Sequence, residues 1–164
     1  MRLTQWTDYS LRVLMHCAAH EQRVQPITIT DIVQAHGISR SHLTKIVMTL
    51  SAQGFIETSR GRGGGMRLKR PAASITVGEV VRQTETDFQQ FECFNRETSR
   101  CRMTGSCALQ HTVGRALSAY LAVLDGVTLA DLASAPAPAA DTPSTVRSGA
   151  QARTQTGWRI GTAP

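Results

Sequence analysis

Residues 27–54 read ITITDIVQAHGISRSHLTKIVMTLSAQG, which predicts two short helices joined by a tight turn. Thr28 and Asp31 have the spacing of a helix N-terminus, and Gly37 is a natural stop for the helix that they begin. A second helix, capped by Ser39, follows at once. Two helices joined in this way form a helix-turn-helix, whose second helix is the recognition helix of many DNA-binding proteins.

The second helix, over residues 40–53, divides into an apolar stripe and a polar remainder. The stripe that we expect to be buried consists of Leu43, Ile46, Val47 and Leu50. Short polar side chains and cations at the N-terminal end suit hydrogen bonds to base edges and phosphates in the major groove. The candidate DNA contacts of the two helices are therefore Thr28, Ser39, Arg40, Ser41, His42 and Lys45.

The segment after these helices predicts a β-hairpin. Residues 55–58 and 66–70 read as strands, and residues 60–65 form a glycine-rich tip, RGRGGG. A hairpin directly after a recognition helix is the wing of a winged helix, and its candidate DNA contacts are Arg60, Gly61 and Arg62. The rival interpretation is a phosphate-binding loop of a nucleotide enzyme, but the tip lacks the Lys-Ser/Thr ending and leads into no helix.

An N-terminal helix is predicted over residues 7–20. Its apolar positions have helical spacing and are Leu11, Leu14, Met15 and Ala18. Thr7 can cap the first turn, and Asp8 then lies where a carboxylate meets the positive end of the helix dipole. Cys17 has apolar neighbours and is expected to be a small buried residue.

The charge of the chain also favours DNA binding. The net charge is +6, and all of the excess lies in residues 1–70, because residues 71–164 carry eight charges of each sign. Such an uneven distribution is the electrostatic footprint of a nucleic-acid-binding unit. A basic face that serves only solubility is the weaker alternative.

Two further helices are predicted before the composition changes. Thr76 and Glu79 form a capping box for a helix with one apolar face, made of Val77, Val80 and Val81 together with Thr84. A longer helix over residues 107–125 has a broad apolar face that suits packing against a second copy of the chain. That face consists of Leu109, Val113, Ala116, Leu117, Tyr120, Leu121 and Leu124.

The predicted fold class is mainly α with a small β-wing: a winged helix-turn-helix plus a long dimerisation helix, in one domain over residues 1–133. A short helix at residues 128–133 ends this domain, and residues 134–164 are rich in Ala, Pro, Ser, Thr and Gly and are expected to be disordered. The chain has no apolar run of membrane-spanning length and no signal-like N-terminus, so we expect a cytoplasmic protein. Disulfides are rare in that compartment.

Three of the four cysteines, Cys93, Cys101 and Cys107, lie in one polar, Arg-rich segment, residues 92–107, which has no hydrophobic periodicity. Structural zinc sites usually contain Cys-x2–4-Cys pairs, and the spacing here is Cys-x7-Cys-x5-Cys. A long loop that closes onto a helix N-terminus can instead hold an iron–sulfur cluster, which thiolates normally ligate. The residues alone leave the fourth ligand open among Asp8, Cys17, Glu92 and His111.

The chain resembles the Rrf-type winged-helix repressors, many of which carry an iron–sulfur cluster. The resemblance covers residues 1–133 and lies in MRLT at 1–4, TDY at 7–9, GIS at 37–39, RGRGG at 60–64, ITVGEVV at 75–81 and ECF at 92–94, with Cys101 and Cys107. Within that family, the chain looks most like the members that respond to nitric oxide.

The resemblance implies a homodimer that binds palindromic promoter DNA and holds one cluster per subunit, either [4Fe–4S] or [2Fe–2S], through Cys93, Cys101 and Cys107. It also implies that Asp8 is the fourth ligand, donated across the dimer. Another branch of the family uses a histidine three residues after the last cysteine, but here that position is Gln110, and His111 is displaced by one residue.

The function that we expect is therefore that of a transcriptional repressor, not an enzyme, which leaves DNA when nitric oxide nitrosylates its cluster. An iron-responsive or general redox-responsive repressor of the same family is the nearest alternative. A zinc-stabilised DNA-binding regulator and a small thiol redox enzyme are more distant, and the enzyme would lack a Cys-x-x-Cys pair.

Overall fold

The computed structural model describes residues 2–88, 91, 94, 95, 97, 99–102 and 107–134. These residues form six α-helices and one two-stranded antiparallel sheet, so the predicted class, mainly α with a small β-wing, is confirmed. The elements are α1 (Gln5–Ala19), α2 (Ile29–His36), α3 (Arg40–Ala52), β1 (Ile56–Ser59), β2 (Gly65–Leu68), a 3-10 turn (Ala72–Ser74), α4 (Val77–Thr84), α5 (Ala108–Asp125) and α6 (Leu129–Ser134). The tail beyond residue 134 and Cys93 lie outside the described residues.

The first helix begins one turn earlier than expected. Thr4, not Thr7, is its N-cap, because the side-chain oxygen of Thr4 accepts a hydrogen bond from the backbone N–H of Thr7. Thr7 is fully buried, and its hydroxyl lies 2.9 Å from the hydroxyl of Thr84 at the end of α4. The predicted cap at Thr7 is therefore wrong: both threonines suit a cap chemically, and the tertiary contact with Thr84 places Thr7 inside the helix.

The helix-turn-helix forms as predicted. Thr28 and Asp31 make both halves of a capping box at the start of α2, and Gly37 ends that helix in the left-handed conformation, with φ 66°. The side-chain oxygen of Ser39 then accepts from the backbone N–H of His42 and caps α3. The buried residues of α3 are the expected Leu43, Ile46, Val47 and Leu50.

The paired strands are shifted towards the tip relative to the prediction: they end earlier at the open end of the hairpin and include Ser59 and Gly65 at the tip. Phe55 is fully buried in the core and precedes β1, while Arg70 lies beyond β2, with its guanidinium 5.6 Å from the centre of the Phe55 ring. The two strands pair from Ile56 with Leu68 to Ser59 with Gly65. The core side of the hairpin is tied to the segment before α2, since the backbones of Met66 and Ile27 exchange hydrogen bonds of 2.7 and 3.0 Å.

Only half of the predicted capping box of α4 is present. The hydroxyl of Thr76 accepts from the backbone N–H of Glu79 at 3.1 Å, but the Glu79 carboxylate is paired with Arg70. The segments of Thr76 and Thr128 are also bridged, because the N–H of Val77 donates to the carbonyl of Val127 and the N–H of Leu129 to that of Ile75, both at 2.9 Å. The start of α4 is therefore linked to Arg70 after the hairpin and to the segment before α6. The predicted inner face of α4, including Thr84, is buried.

The long helix α5 lies outside the core. Asp125 at its C-terminal end forms an ion pair with Arg82 of α4, with one N–O distance of 2.7 Å, and a side chain at Gly78 would overlap the Asp125 carboxylate. No residue of α5 is buried. The core therefore lies between α1, α2, α3, the hairpin, α4 and α6, and α5 extends from it. No helix in the described part of the chain is long and apolar enough to cross a membrane.

Three histidines cluster where α1 and α2 end. The His16 ring stacks on His20, with centroids 4.4 Å apart, and meets the edge of the His36 ring at 5.4 Å. Burial lowers the pKa of His16, and His20 and His36 lower it further, whereas Asp31 opposes them. Burial and then Arg12 also lower the pKa of His36. The folded chain therefore resists protonation of His16 and His36.

This cluster makes stability depend on pH. Because both pKa values lie below the ordinary 6.5 in the folded state, the unfolded chain binds more protons near that pH, and stability falls as the pH drops below about 6.5. Urea unfolding measured from about pH 8 to about pH 5.5 should show this loss. The double variant His16→Gln/His36→Gln should have a flatter profile, whereas His111→Gln on α5 should keep the original one. Equal slopes in the double variant and the parent would contradict the assignment.

Candidate nucleic-acid interface and thiolate site

The polar face of α3 is presented to solvent. The predicted contacts Ser39, Arg40, Ser41, His42 and Lys45 are all exposed. Ser41 and Lys45 lie opposite the buried stripe of the helix, whereas Arg40 and His42 lie at its flanks and Ser39 is the N-cap. The structure therefore brings these five predicted residues together on one accessible surface, as a helix that enters a DNA groove requires.

Contacts with α1 and α2 hold the N-terminal turn of α3 in place. The Arg40 guanidinium donates to the hydroxyl of Thr30 at 2.8 Å, and the ring of His42 lies 6.1 Å from the ring of Tyr9 in α1. The hydroxyls of Ser39 and Ser41 are 3.3 Å apart. The end of the helix that would approach base edges is therefore positioned by both neighbouring helices.

Thr28 is the N-cap of α2, as the sequence predicts. Its hydroxyl accepts from the backbone N–H of Asp31 at 3.2 Å, and its own N–H donates to the Asp31 carboxylate at 2.8 Å. The backbone and side-chain hydrogen bonds from Thr28 lower the pKa of Asp31, so the carboxylate stays charged in the cap. Contact of Thr28 with DNA stays a prediction, alongside this observed role as a helix cap.

The tip of the hairpin presents Arg60, Gly61 and Arg62, and all three are exposed. Gly61 has φ 95°, a conformation that L-residues with side chains rarely adopt, so the tip needs glycine there. A Cβ at Gly64 would come within 2.5 Å of the Ser59 carbonyl oxygen, which keeps the turn tight. The tip thus carries an exposed cation on each side of Gly61.

The two cysteines that the structure describes in the Arg-rich segment are accessible. Cys101 is exposed, and Cys107 is half-buried at the N-cap position of α5. The Cys107 side chain makes no cap hydrogen bond to α5, and Cys107 lies at a helix N-terminus, where backbone N–H groups favour an electron-rich group such as a thiolate sulfur. Cys93, the third predicted thiolate, and Glu92 lie outside the described residues.

The candidates for a fourth ligand differ in accessibility. Asp8 has a side chain 48% exposed, and its Oδ1 lies 3.0 Å from Nε of Arg12. Cys17 is buried, and burial raises its pKa to about 12, so its thiol stays protonated and is a poor ligand. His111 is exposed one turn after Cys107. Among the residues with described side chains, Asp8 and His111 therefore remain, and Cys17 is disfavoured.

Within the described part of the chain, no three metal-ligating side chains come together. The turn that carries Asp8 nevertheless lies beside the point from which the cysteine segment departs. Glu85, directly after α4, accepts from the backbone N–H of Thr4 at 2.8 Å and from its hydroxyl at 3.1 Å. With the buried contact between Thr7 and Thr84, this joins the start of α1 to the end of α4.

Sequence reasoning missed the residues that surround Asp8. Arg12 pairs with its carboxylate, and the signal was the i, i+4 spacing of opposite charges on a helix. Tyr9 contacts His42 across the fold, and Glu85 contacts Thr4. No local pattern predicts these two contacts, because their partners are 33 and 81 residues away in the chain.

Comparisons with known proteins identify the family of the chain. A family model described as "Rrf2: Iron-dependent Transcriptional regulator" matches residues 3–135. The chain is 46% identical over 132 residues to the HTH-type transcriptional regulator NsrR of Bacillus licheniformis, covering 80% of this chain and 92% of that protein. It is 48% identical over 132 residues to NsrR of Bacillus subtilis, covering 80% and 90%.

Among solved structures, the oxidized form of CymR from Staphylococcus aureus is similar in fold. The TM-score is 0.67 and the identity 25%, with 84% of this chain and 99% of that one covered. The match spans nearly all of that regulator.

The wing provides a direct test of the interface. Replacing Arg60 or Arg62 with alanine should weaken DNA binding and lower the dependence of log affinity on log salt concentration by about one for each lost phosphate contact. Fluorescence anisotropy over a range of salt concentrations measures both quantities. Arg115→Ala, which removes the same charge from α5, is the control and should leave the salt slope unchanged. An unchanged slope in both wing variants would show that the tip does not contact phosphate.

Proposed function

The chain belongs to the Rrf2 family of transcriptional regulators, and from this premise we propose that it is a repressor that releases DNA in response to nitric oxide. As a member of this family it is a DNA-binding regulator and not an enzyme. The finer proposal is that it binds promoter DNA as a homodimer, with one iron–sulfur cluster per subunit. Such a repressor would act in the cytoplasm, where bacterial promoters are found.

One structural observation carries the proposal: α1 contacts both the recognition helix and the end of α4, after which the chain leads to the cysteine segment. Tyr9 packs against His42 of α3, and Thr4 is hydrogen-bonded to Glu85, directly after α4. Asp8 lies in the same turn of α1. A change in the position of the cysteine segment would therefore act on α1 first and, through Tyr9, on the N-terminal turn of α3.

The donor set fits an iron–sulfur cluster. Cys93, Cys101 and Cys107 would supply three thiolates, and Asp8 would supply a carboxylate, from either subunit. Two of these thiols, Cys101 and Cys107, are not buried, and Cys107 lies at the N-cap position of α5, where the helix dipole favours a thiolate. A carboxylate is a harder ligand than thiolate, so the iron that it holds is the one most open to exchange. When bound, the cluster would supply iron to which nitric oxide can attach.

The long helix supports the proposed homodimer. With 18 residues, α5 is about 27 Å long. None of its residues is buried, and Leu109 and Val123 are 58% and 69% exposed. A second copy would cover this apolar surface, and a two-fold axis would set two recognition helices against a palindromic promoter site.

An iron-responsive repressor is the second candidate. The observation that favours it is the description of the matched family, which names iron and not nitric oxide. The two proposals share the fold, the cluster and the DNA interface, and they differ only in the signal that leads to release. One experiment that compares nitric oxide with iron limitation can therefore distinguish the two proposals.

The signal can be identified by following promoter binding and absorption together. Protein purified without oxygen should be coloured by the cluster, and nitric oxide should bleach that absorption while the affinity for promoter DNA falls by at least about tenfold. Iron chelation should act far more slowly. An affinity that ignores nitric oxide but falls on chelation would favour the iron-responsive candidate. A colourless preparation that contains zinc would exclude both.

The role of Asp8 can be separated from its place in the helix. Its pair with Arg12 is about half exposed and therefore contributes at most about 1 kcal/mol, so Asp8→Ala should change thermal stability little. If Asp8 is a ligand, the same variant should change the visible circular dichroism of the cluster and speed its loss. Asp131→Ala removes another first-turn carboxylate, from α6, and should leave the cluster unchanged. An effect of Asp8→Ala on melting alone would restrict Asp8 to a helix-stabilising role.

A further inference from the structure

A methionine lies on the face of α3 that would enter the groove. The exposed residues Ser41, Thr44, Lys45 and Met48 have the spacing i, i+3, i+4, i+7. At about 100° per residue they occupy an arc of about 100°, centred opposite the buried stripe of the helix. Met48 lies near the centre of that arc, like Ser41, and about 10 Å further along the helix axis. It therefore belongs to the same surface as the proposed polar contacts.

Met48 is chemically unlike its neighbours on this surface. Its side chain is 68% exposed, whereas Val47 beside it is 7% exposed and Leu50 is fully buried. A long apolar side chain gains no packing energy in that position while the helix is solvated. It gains energy only when a partner covers it, and the polar residues around it suit a nucleic acid better than an apolar protein surface.

We propose that Met48 reads the 5-methyl group of a thymine in the major groove. Among the four bases, only thymine presents an apolar group at the major-groove edge, and it does so beside a pattern of donors and acceptors that polar side chains read. The flexible thioether can adapt to the methyl group where a branched side chain would need one fixed geometry. Met48 would thus distinguish T·A from C·G, while Ser41 and Lys45 make polar contacts nearby.

This inference rests on the proposed function, because α3 must enter the groove for Met48 to meet a base. The test begins with the full-length protein, purified without oxygen, which selects a tightly bound duplex from a random library. Thymines of that duplex are then replaced one at a time by deoxyuridine, which lacks only the methyl group. Affinities of the parent and of Met48→Ala are measured by fluorescence anisotropy.

The expected result is a coupling between one methyl group and one side chain. At one thymine in each half-site, the parent should lose about fourfold in affinity on deoxyuridine replacement, the effect of burying one methyl group. Met48→Ala should be indifferent to the same replacement, and Met48→Leu should retain part of the sensitivity. Val24→Ala, which removes an apolar side chain 91% exposed outside α3, should behave like the parent.

Two outcomes would overturn the inference. One is a parent protein that is indifferent to every thymine methyl group. The other is a Met48→Ala variant that keeps the sensitivity of the parent, in which case Met48 contacts something other than thymine. If the parent selects no duplex, the proposed function itself fails, and the inference fails with it.

Discussion

The burial of a single stripe on α3 is the constraint on which the rest of the structure depends. Leu43, Ile46 and Leu50 are at most 1% exposed, and they anchor the helix against α1 and the hairpin. Because Ser41, Lys45 and Met48 lie opposite this stripe on the helix, its burial turns all three outward together. The surface that would meet DNA is therefore a by-product of the packing that stabilises the fold.

The first helix connects this surface to the rest of the molecule. Its N-terminal turn is held by contacts from Thr84 and Glu85 at the end of α4, and Tyr9 reaches His42 in α3. The C-terminal end of the long helix α5 is joined to α4 by the ion pair of Asp125 with Arg82. A repressor that senses a signal in its cysteine segment needs such a rigid connection, because a flexible one would absorb the displacement.

The features predicted correctly from the sequence are those that neighbouring residues determine. The caps at Thr28 and Ser39, the turn at Gly37 and the stripe of α3 each depend on spacing within one or two helical turns. The cap of α1 and the partner of Glu79 were decided by residues distant in the chain, Thr84 and Arg70. Local patterns do not contain such information.

The thiolate site also has one part that the sequence predicts and one part that it does not. Clustered cysteines and their spacing can be read from residues 92–107, whereas the fourth ligand depends on how distant segments, or two subunits, come together. The structure disfavours one candidate for the fourth ligand, Cys17, because its thiol is buried and stays protonated. Ligation of one cluster by Asp8 and the three cysteines, as proposed, depends on how these segments, or two subunits, assemble.

The account's central claim is that cluster binding, dimerisation and DNA binding occur together. Native mass spectrometry tests it most directly, on protein purified without oxygen and mixed with its selected duplex. The account predicts one complex that contains two chains, one iron–sulfur cluster per chain and one duplex. It further predicts that nitric oxide modifies the clusters and releases the duplex. A DNA complex that forms equally well with monomeric or cluster-free protein, or that persists after nitric oxide has reacted, would contradict it.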